Sequence, residues 1–157
     1  MAGDCFVVPA KSRRDSSQRQ ITIRMNTYQF KPDIASHLAI QWPDVWEPLR
    51  IEFARFSIQC VNDLGTPPLV ITCLGRTPAE NASVGGIAKS LHLTNPCRAI
   101  DIRRRGFDRY AERMKLLWQS RGDGWDFVIE GPPFNPKPPH FHLEVDWRVR
   151  DYSTNNT

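Results

Sequence analysis

The sequence predicts an α+β domain built on a small antiparallel sheet with helices packed on one face. Two segments, 45–64 and 107–119, carry apolar residues at helical spacing. Several short apolar or β-branched runs lie between and after them, and they do not alternate regularly with the helices. Because each helix has one apolar stripe, we expect both helices to cover the same face of the sheet.

The amino-acid composition narrows the kinds of protein and of binding partner to be expected. The chain has 157 residues, 40% of them hydrophobic and 24% charged, which suits one soluble domain with one core. The net charge of +4 and the Arg103–Arg105 cluster come without an aromatic-rich binding module, so we expect no nucleic-acid partner. No apolar stretch is long enough to span a membrane, so we expect no membrane partner either.

The two ends of the chain are predicted to lie outside the domain. Residues 1–20 are expected to be a flexible leader, because Lys11–Gln20 is almost entirely polar. Their sequence does not have the pattern of a signal peptide, so we expect synthesis in a cytoplasm. The folded domain is predicted to span 21–150, and residues 151–157 to form a frayed tail.

In the first half of the domain, the sequence predicts the secondary structure of most segments but leaves one ambiguous. Residues 21–26 alternate apolar and polar side chains, as a strand does, whereas 27–44 is ambiguous. Helix 45–64 is predicted to stop at Gly65. A buried strand over 69–74 and a helical turn over 77–82 are predicted to follow.

The second half is more regular. A short strand is predicted over 99–102, followed by the clearest helix, 107–119. Strands over 125–129 and 141–147 are joined by the proline-rich segment 131–139.

Two of the four histidines, His140 and His142, lie two residues apart in the last predicted strand. Residues i and i+2 of a strand point to the same face, so both imidazoles should project together. They could be two metal ligands, or one ligand and one catalytic group. They could also be incidental histidines on a surface strand.

A second cluster joins His92, before a predicted strand, to Asp101 within that strand. A carboxylate among Ala99, Ile100 and Ile102 needs a compensating partner, which could be an arginine or a metal. Two imidazoles and one carboxylate form a standard three-ligand set for catalytic zinc.

The run VITCLGRTPAENASVGGIAKSLHLTNPCRAIDIR, residues 70–103, holds an ordered series of polar and small residues. The series comprises Thr72, Arg76, Asn81, Gly85, Gly86, Ser90, His92, Ala99 and Asp101. Together with His140-Phe141-His142, it resembles the zinc D,D-carboxypeptidase and L-alanyl-D-glutamate peptidase family, which shares its fold with the hedgehog signalling domain. The resemblance covers roughly residues 45–148 and implies that fold.

The chain departs from the family pattern in two places. Cys73-Leu74-Gly75 replaces the usual Ser-Gly-Tyr. Two extra residues separate His92 from Asp101, and Cys97 stands where glycine is usual. We expect the insertion to lie in the loop near Asn95–Pro96 and to bulge outward, with Cys97 in a packing role or as an additional zinc ligand.

The resemblance implies a Zn²⁺ ion held by His92, Asp101 and His142. Some relatives place a catalytic carboxylate three residues before the last ligand, where this chain has Pro139. His140 is therefore the first candidate for general base or oxyanion stabiliser, and Glu130 is the second. Arg76 and Ser90 match family residues close to the substrate.

The implied function is a zinc metallopeptidase that hydrolyses peptide bonds in bacterial peptidoglycan stem peptides. A bacteriophage endolysin released by lysis is one setting. The other is a tail-associated enzyme carried on a virion, which would contact phage tail proteins through residues 1–44. The alternatives are a weak or inactive metal-binding structural component of a virion, and a His-x-His oxygenase, which would need many more strands.

Overall fold

The computed structural model describes residues 27–146, which form a five-stranded sheet and four α-helices. The strands are β1 (Tyr28–Phe30), β2 (Leu69–Cys73), β3 (Ala99–Arg103), β4 (Trp125–Glu130) and β5 (His140–Val145). The helices are α1 (Ala35–Gln41), α2 (Glu47–Leu64), α3 (Pro78–Ser83) and α4 (Ala111–Gln119). The predicted α+β class is confirmed.

The sheet has the strand order β1-β2-β3-β5-β4. The pairings β2–β3, β3–β5 and β5–β4 are antiparallel, as predicted. Strand β1 departs from the prediction because it pairs with β2 in parallel. The connection from β1 to β2 runs through α1 and α2, and a helical crossover of this kind returns the chain in the same direction.

Helix α2 follows from its sequence. Pro48 occupies its first turn, where the missing N–H costs nothing, and Gly65 ends it with a left-handed φ of 70°. Leu49, Phe53 and Phe56 are fully buried on one side of the helix, as the predicted apolar stripe requires. The helix therefore supplies one wall of the core.

Helix α4 forms the second wall. The predicted helix 107–119 is divided into a 3-10 turn, Asp108–Tyr110, and the α-helix itself. Trp118 is fully buried, and its ring centroid lies 5.1 Å from that of Phe56 in an edge-to-face contact. This contact joins the two helices on the same side of the sheet.

Strands β3 and β5 separate the core from the opposite face of the sheet. Ile100, Ile102 and Phe141 are fully buried in the hydrophobic core. Asp101 and His142 alternate with them and therefore point to the other face. Helices α2 and α4 pack on one face, and the candidate ligands lie on the other.

Parts of the sequence prediction lie outside the described residues: the leader 1–20, the strand 21–26 and the tail 151–157. Segment 27–44, which the sequence left ambiguous, contains β1 and α1. Strand β5 ends at Val145, two residues before the predicted end.

Candidate metal centre

Strand pairing brings Asp101 and His142 together. They are directly opposite each other in the β3–β5 register, so their side chains share one face. His142 Nδ1 lies 2.8 Å from Asp101 Oδ1. Asp101 is only 3% exposed, so its charge depends on protein partners rather than on water.

His92 reaches the same point from a 3-10 turn, Leu91–Leu93. The Ser90 hydroxyl caps this turn by accepting a hydrogen bond from the His92 N–H at 3.4 Å. His92 Nε2 lies 3.1 Å from Asp101 Oδ1 and 3.3 Å from His142 Nδ1. The structure thus brings the three predicted metal ligands together, although they come from a loop and two strands.

The outer contacts of the two imidazoles fix which nitrogens face inward. His92 Nδ1 contacts the carbonyl oxygen of Leu74, which can only accept a hydrogen bond. His142 Nε2 lies 2.8 Å from the Glu144 carboxylate, which is also an acceptor. When the rings are neutral, both therefore direct a lone pair toward Asp101 Oδ1, and the site needs a cation at its centre.

In the metal-free protein, a proton on His142 supplies this positive charge. Burial alone would lower the pKa of His142, but its hydrogen bonds to Asp101 and Glu144 raise the pKa to about 9. For Asp101, burial acts to raise the pKa, and the neighbouring His92 and His142 outweigh it and lower the pKa. The ground state is therefore an ionised Asp101 beside a protonated His142.

The spacing of the three donor atoms suits zinc. Ligands at about 2.0–2.1 Å in a tetrahedral site lie about 3.3 Å from one another. The observed separations of 2.8, 3.1 and 3.3 Å are close to that value. Asn95 and Pro96, where the insertion is predicted, are exposed to solvent. The distances above show that the insertion does not separate the ligands.

His140 lies at the edge of this cluster. Its Nδ1 lies 2.7 Å from the Pro138 carbonyl oxygen and so carries the hydrogen in the neutral ring. Its Nε2 lies 3.7 Å from Asp101 Oδ1, with the side chain 19% exposed. In that neutral form, the lone pair of Nε2 lies at the edge of the cluster.

The Glu130 carboxylate is bound to side chains outside the cluster of candidate ligands. It lies opposite His140 in the β4–β5 register, and its carboxylate binds Lys137 Nζ at 2.8 Å and the Asn135 side-chain amide. Burial acts to raise the pKa of Glu130, but the hydrogen bonds from Lys137 and Asn135 outweigh it and lower the pKa. Glu130 is thus a stable carboxylate with little tendency to accept a proton.

Arg76 contacts the cluster directly. Its Nη2 lies 2.7 Å from Asp101 Oδ2, and its Nε lies 3.1 Å from Cys73 Sγ. The guanidinium thus holds the carboxylate oxygen that faces away from the histidines. The Cys73 thiol beside it is protonated in the metal-free protein, because burial and the nearby Asp101 raise its pKa to about 11.

Two residues that the structure places around the site have no role in the sequence-based prediction. Glu144 orients His142, and the spacing His142-x-Glu144 on one strand could have indicated it. Asn81 holds the loop that follows α3 and contains Gly85 and Gly86, here called the glycine loop. Its side-chain amide donates to the Ile87 carbonyl at 2.9 Å, and its backbone carbonyl accepts from the Gly86 N–H. Cys97 packs in the core and donates to the Ala99 carbonyl, so it is not among the grouped donors.

A cleft of about 720 Å³ opens above the cluster. Its walls carry four acidic side chains and two apolar residues of the glycine loop, Val84 and Ile87. They also carry five cationic side chains: Lys31, Arg76, Lys89, Arg103 and Lys137. A cleft with charges of both signs and apolar edges suits a peptide substrate.

A family model described as Peptidase M15 matches residues 43–125, more than half of the 157-residue chain. The chain belongs to the Peptidase M15 family. M15 peptidases are zinc-dependent, and the membership indicates a hydrolase acting on peptidoglycan peptides. The matched range includes Arg76, Ser90, His92 and Asp101, whereas His140 and His142 lie beyond it. Searches of curated proteins and of solved structures gave no match.

Proposed function

We propose that this M15 peptidase is a zinc metallopeptidase that hydrolyses peptide bonds in bacterial peptidoglycan stem peptides. The observation that carries the proposal is the convergence of three lone-pair donors at the base of a peptide-sized cleft. His92 Nε2, Asp101 Oδ1 and His142 Nδ1 would hold the metal. When bound there, zinc supplies a Lewis acid that polarises the scissile carbonyl and makes water more acidic.

The residues around the metal position would perform the proton transfer. We assign the general base to His140, because its Nε2 is unprotonated in the neutral ring and faces the cluster. It would take the proton of the attacking water and pass it to the leaving amine. Glu130 remains the second candidate, and its ion pair with Lys137 argues against it.

Arg76 and Ser90 are proposed to contact the substrate. Arg76 uses Nη2 and Nε within the protein, so its remaining N–H groups can meet a substrate carboxylate at the cleft wall. Ser90 also lines the cleft, although its hydroxyl already caps the His92 turn. Its part in substrate binding would be secondary to that structural role.

The biological setting is also a proposal. None of the helices within residues 27–146 has the length and apolar character needed to cross a bilayer. We propose that the protein acts at the cell wall as a phage endolysin or tail-associated hydrolase, made in the cytoplasm and released by lysis or carried on a virion. In the second case, residues 1–44 would contact other tail proteins.

One observation favours a second function, a weak or inactive metal-binding component of a virion. The position three residues before His142 is Pro139, so the carboxylate that serves some relatives is missing there. Catalysis would then depend on His140 or, as the second candidate, on Glu130. Zinc content without hydrolysis would support this second function.

The test is metal analysis followed by digestion of defined peptidoglycan fragments with mass-spectrometric detection. We expect bound zinc, chelator-sensitive cleavage, and loss of both zinc and activity in His142→Ala. His140→Ala should keep zinc and lose about 10²–10⁴-fold in rate. Glu130→Gln is the matched comparison and should stay active. Full activity in His140→Ala with a dead Glu130→Gln would reverse the assignment.

A further inference from the structure

Cys73 is a departure from the family pattern whose side chain lies beside the candidate metal ligands. It ends strand β2, is the direct cross-strand partner of Asp101, and lines the cleft. The other described cysteines, Cys60 and Cys97, are buried in the hydrophobic core. Only Cys73 among these three therefore presents its thiol to the candidate metal centre.

The donor geometry includes this sulfur. Cys73 Sγ, a ring nitrogen of His92 and a carboxylate oxygen of Asp101 all lie within 4.8 Å of one another. In a tetrahedral zinc site the separation between a sulfur and a nitrogen ligand is about 3.5 Å, since Zn–S is about 2.3 Å. The limit of 4.8 Å exceeds this separation by about 1.3 Å at most, which is the movement that metal binding would require of these side chains. Cys73 and His142 flank Asp101 from the neighbouring strands β2 and β5.

The charges favour a thiolate at this position. A zinc ion with two neutral imidazoles and Asp101 carries a net charge of +1, and the adjacent Arg76 adds another. Glu144, bonded to His142, offsets one of these charges. A Cys73 thiolate would offset the second, and Arg76 Nε already points at its sulfur from 3.1 Å. Thiolate is also a preferred zinc donor.

We propose that Cys73 is a fourth protein ligand of the bound metal, completing a site with His92, Asp101 and His142. The inference rests on the zinc binding assumed in the proposed function. When the metal enters, the S–H bond breaks, the proton leaves to solvent, and a sulfur–metal bond forms. The position that catalytic zinc sites keep for water is thereby filled in the resting protein. Substrate entry must displace the thiolate, which makes Cys73 a restraint on activity.

The experiment is zinc X-ray absorption on the full-length protein, supported by the visible spectrum of the cobalt-substituted form. We expect one sulfur at about 2.3 Å from zinc and a thiolate-to-cobalt charge-transfer band. Cys73→Ser should lose both while still binding one metal ion. Cys60→Ser and Cys97→Ser are the matched controls and should keep both, and so should His140→Ala.

The outcomes separate this inference from the proposed function. A metal shell of nitrogen and oxygen alone in the parent protein would overturn the thiolate ligand, even if the protein cuts peptidoglycan. Loss of the sulfur signal in Cys97→Ser instead of Cys73→Ser would also overturn it. A sulfur ligand in a protein that cuts no peptide, even as Cys73→Ser, would support the ligand and defeat the peptidase proposal. Faster cleavage by Cys73→Ser than by the parent would support both.

Discussion

At the scale of single residues, the centre is organised around Asp101. Its Oδ1 faces His92 and His142, and its Oδ2 is held by Arg76. Each imidazole is oriented in turn by an acceptor on its far side, the Leu74 carbonyl for His92 and Glu144 for His142. The site is therefore preorganised by outer contacts that a list of ligands would not include.

The first prediction concerns Glu144. Glu144→Gln removes the carboxylate that fixes the His142 ring, so we expect zinc affinity to fall by about 10–100-fold. Asp126→Asn is the control, because Asp126 lies opposite Glu144 in the register but is exposed. Competition with a chromophoric chelator measures both variants. Equal affinities for Glu144→Gln and the parent would contradict the orienting role.

The second prediction concerns pH. His142 has its pKa raised from 6.5 to about 9, so in the metal-free protein it holds a proton that zinc must displace. Zinc affinity should therefore rise with pH up to about 9 and more gently above that, where only the Cys73 thiol, with a pKa of about 11, still has a proton to lose. Calorimetric titrations in buffers of different ionisation enthalpy report the protons released. An affinity that is constant across this range would show that His142 is not a ligand.

At the scale of elements, the loop after α3 explains the Asn and Gly-Gly of the family pattern. Thr77 and Glu80 form a reciprocal capping box that starts α3. The backbone carbonyl oxygen of Asn81 then accepts a hydrogen bond from the Gly86 N–H, with an N···O distance of 2.8 Å. A Cβ added at Gly86 would lie 2.1 Å from Asn81 Oδ1. This loop carries the chain from the Arg76 side of the cleft to the His92 turn.

The third prediction tests this contact. Gly86→Ala should lower the free energy of unfolding by about 1–3 kcal/mol, because the added methyl overlaps the Asn81 amide. Gly75→Ala is the control, since its Cβ would have no neighbour closer than 4.0 Å. Urea denaturation measures the difference. Equal stability of the two variants would mean that Asn81 moves aside without cost.

At the scale of the whole molecule, one sheet divides the protein into a structural side and a site side. The core contains Phe56 between Trp118 and Phe127, with ring centroids 5.1 and 6.4 Å away. The opposite face carries the buried carboxylate and the imidazoles. Stability and chemistry therefore depend largely on different sets of side chains within the same strands.

The fourth prediction follows from this division. Phe56→Ala should destabilise the protein by about 3–5 kcal/mol, because it opens a cavity at the junction of both helices and the sheet. Leu116→Ala, at a side chain that is 70% exposed on α4, should change stability by less than about 0.5 kcal/mol. Thermal unfolding compares them. A small effect at Phe56 would mean that the core collapses into the space.

Local sequence patterns were enough to predict the class of fold and most of the elements near the site. Apolar periodicity predicted α2 and α4, and short β-branched runs predicted β2 to β5, because these patterns are local. The parallel position of β1 was not predictable, since it depends on where the chain returns after α1 and α2.

The three candidate ligands were predicted from their order in the family pattern, and alternation in β5 placed His140 and His142 on one face. The contacts between individual atoms could be read only from the folded chain. In the folded chain, Arg76 is hydrogen-bonded to Asp101, Glu144 to His142 and Lys137 to Glu130. The Cys73 sulfur lies close to His92 and Asp101. Most of these contacts join distant segments through strand register and loop geometry, which residue types and spacings do not encode locally.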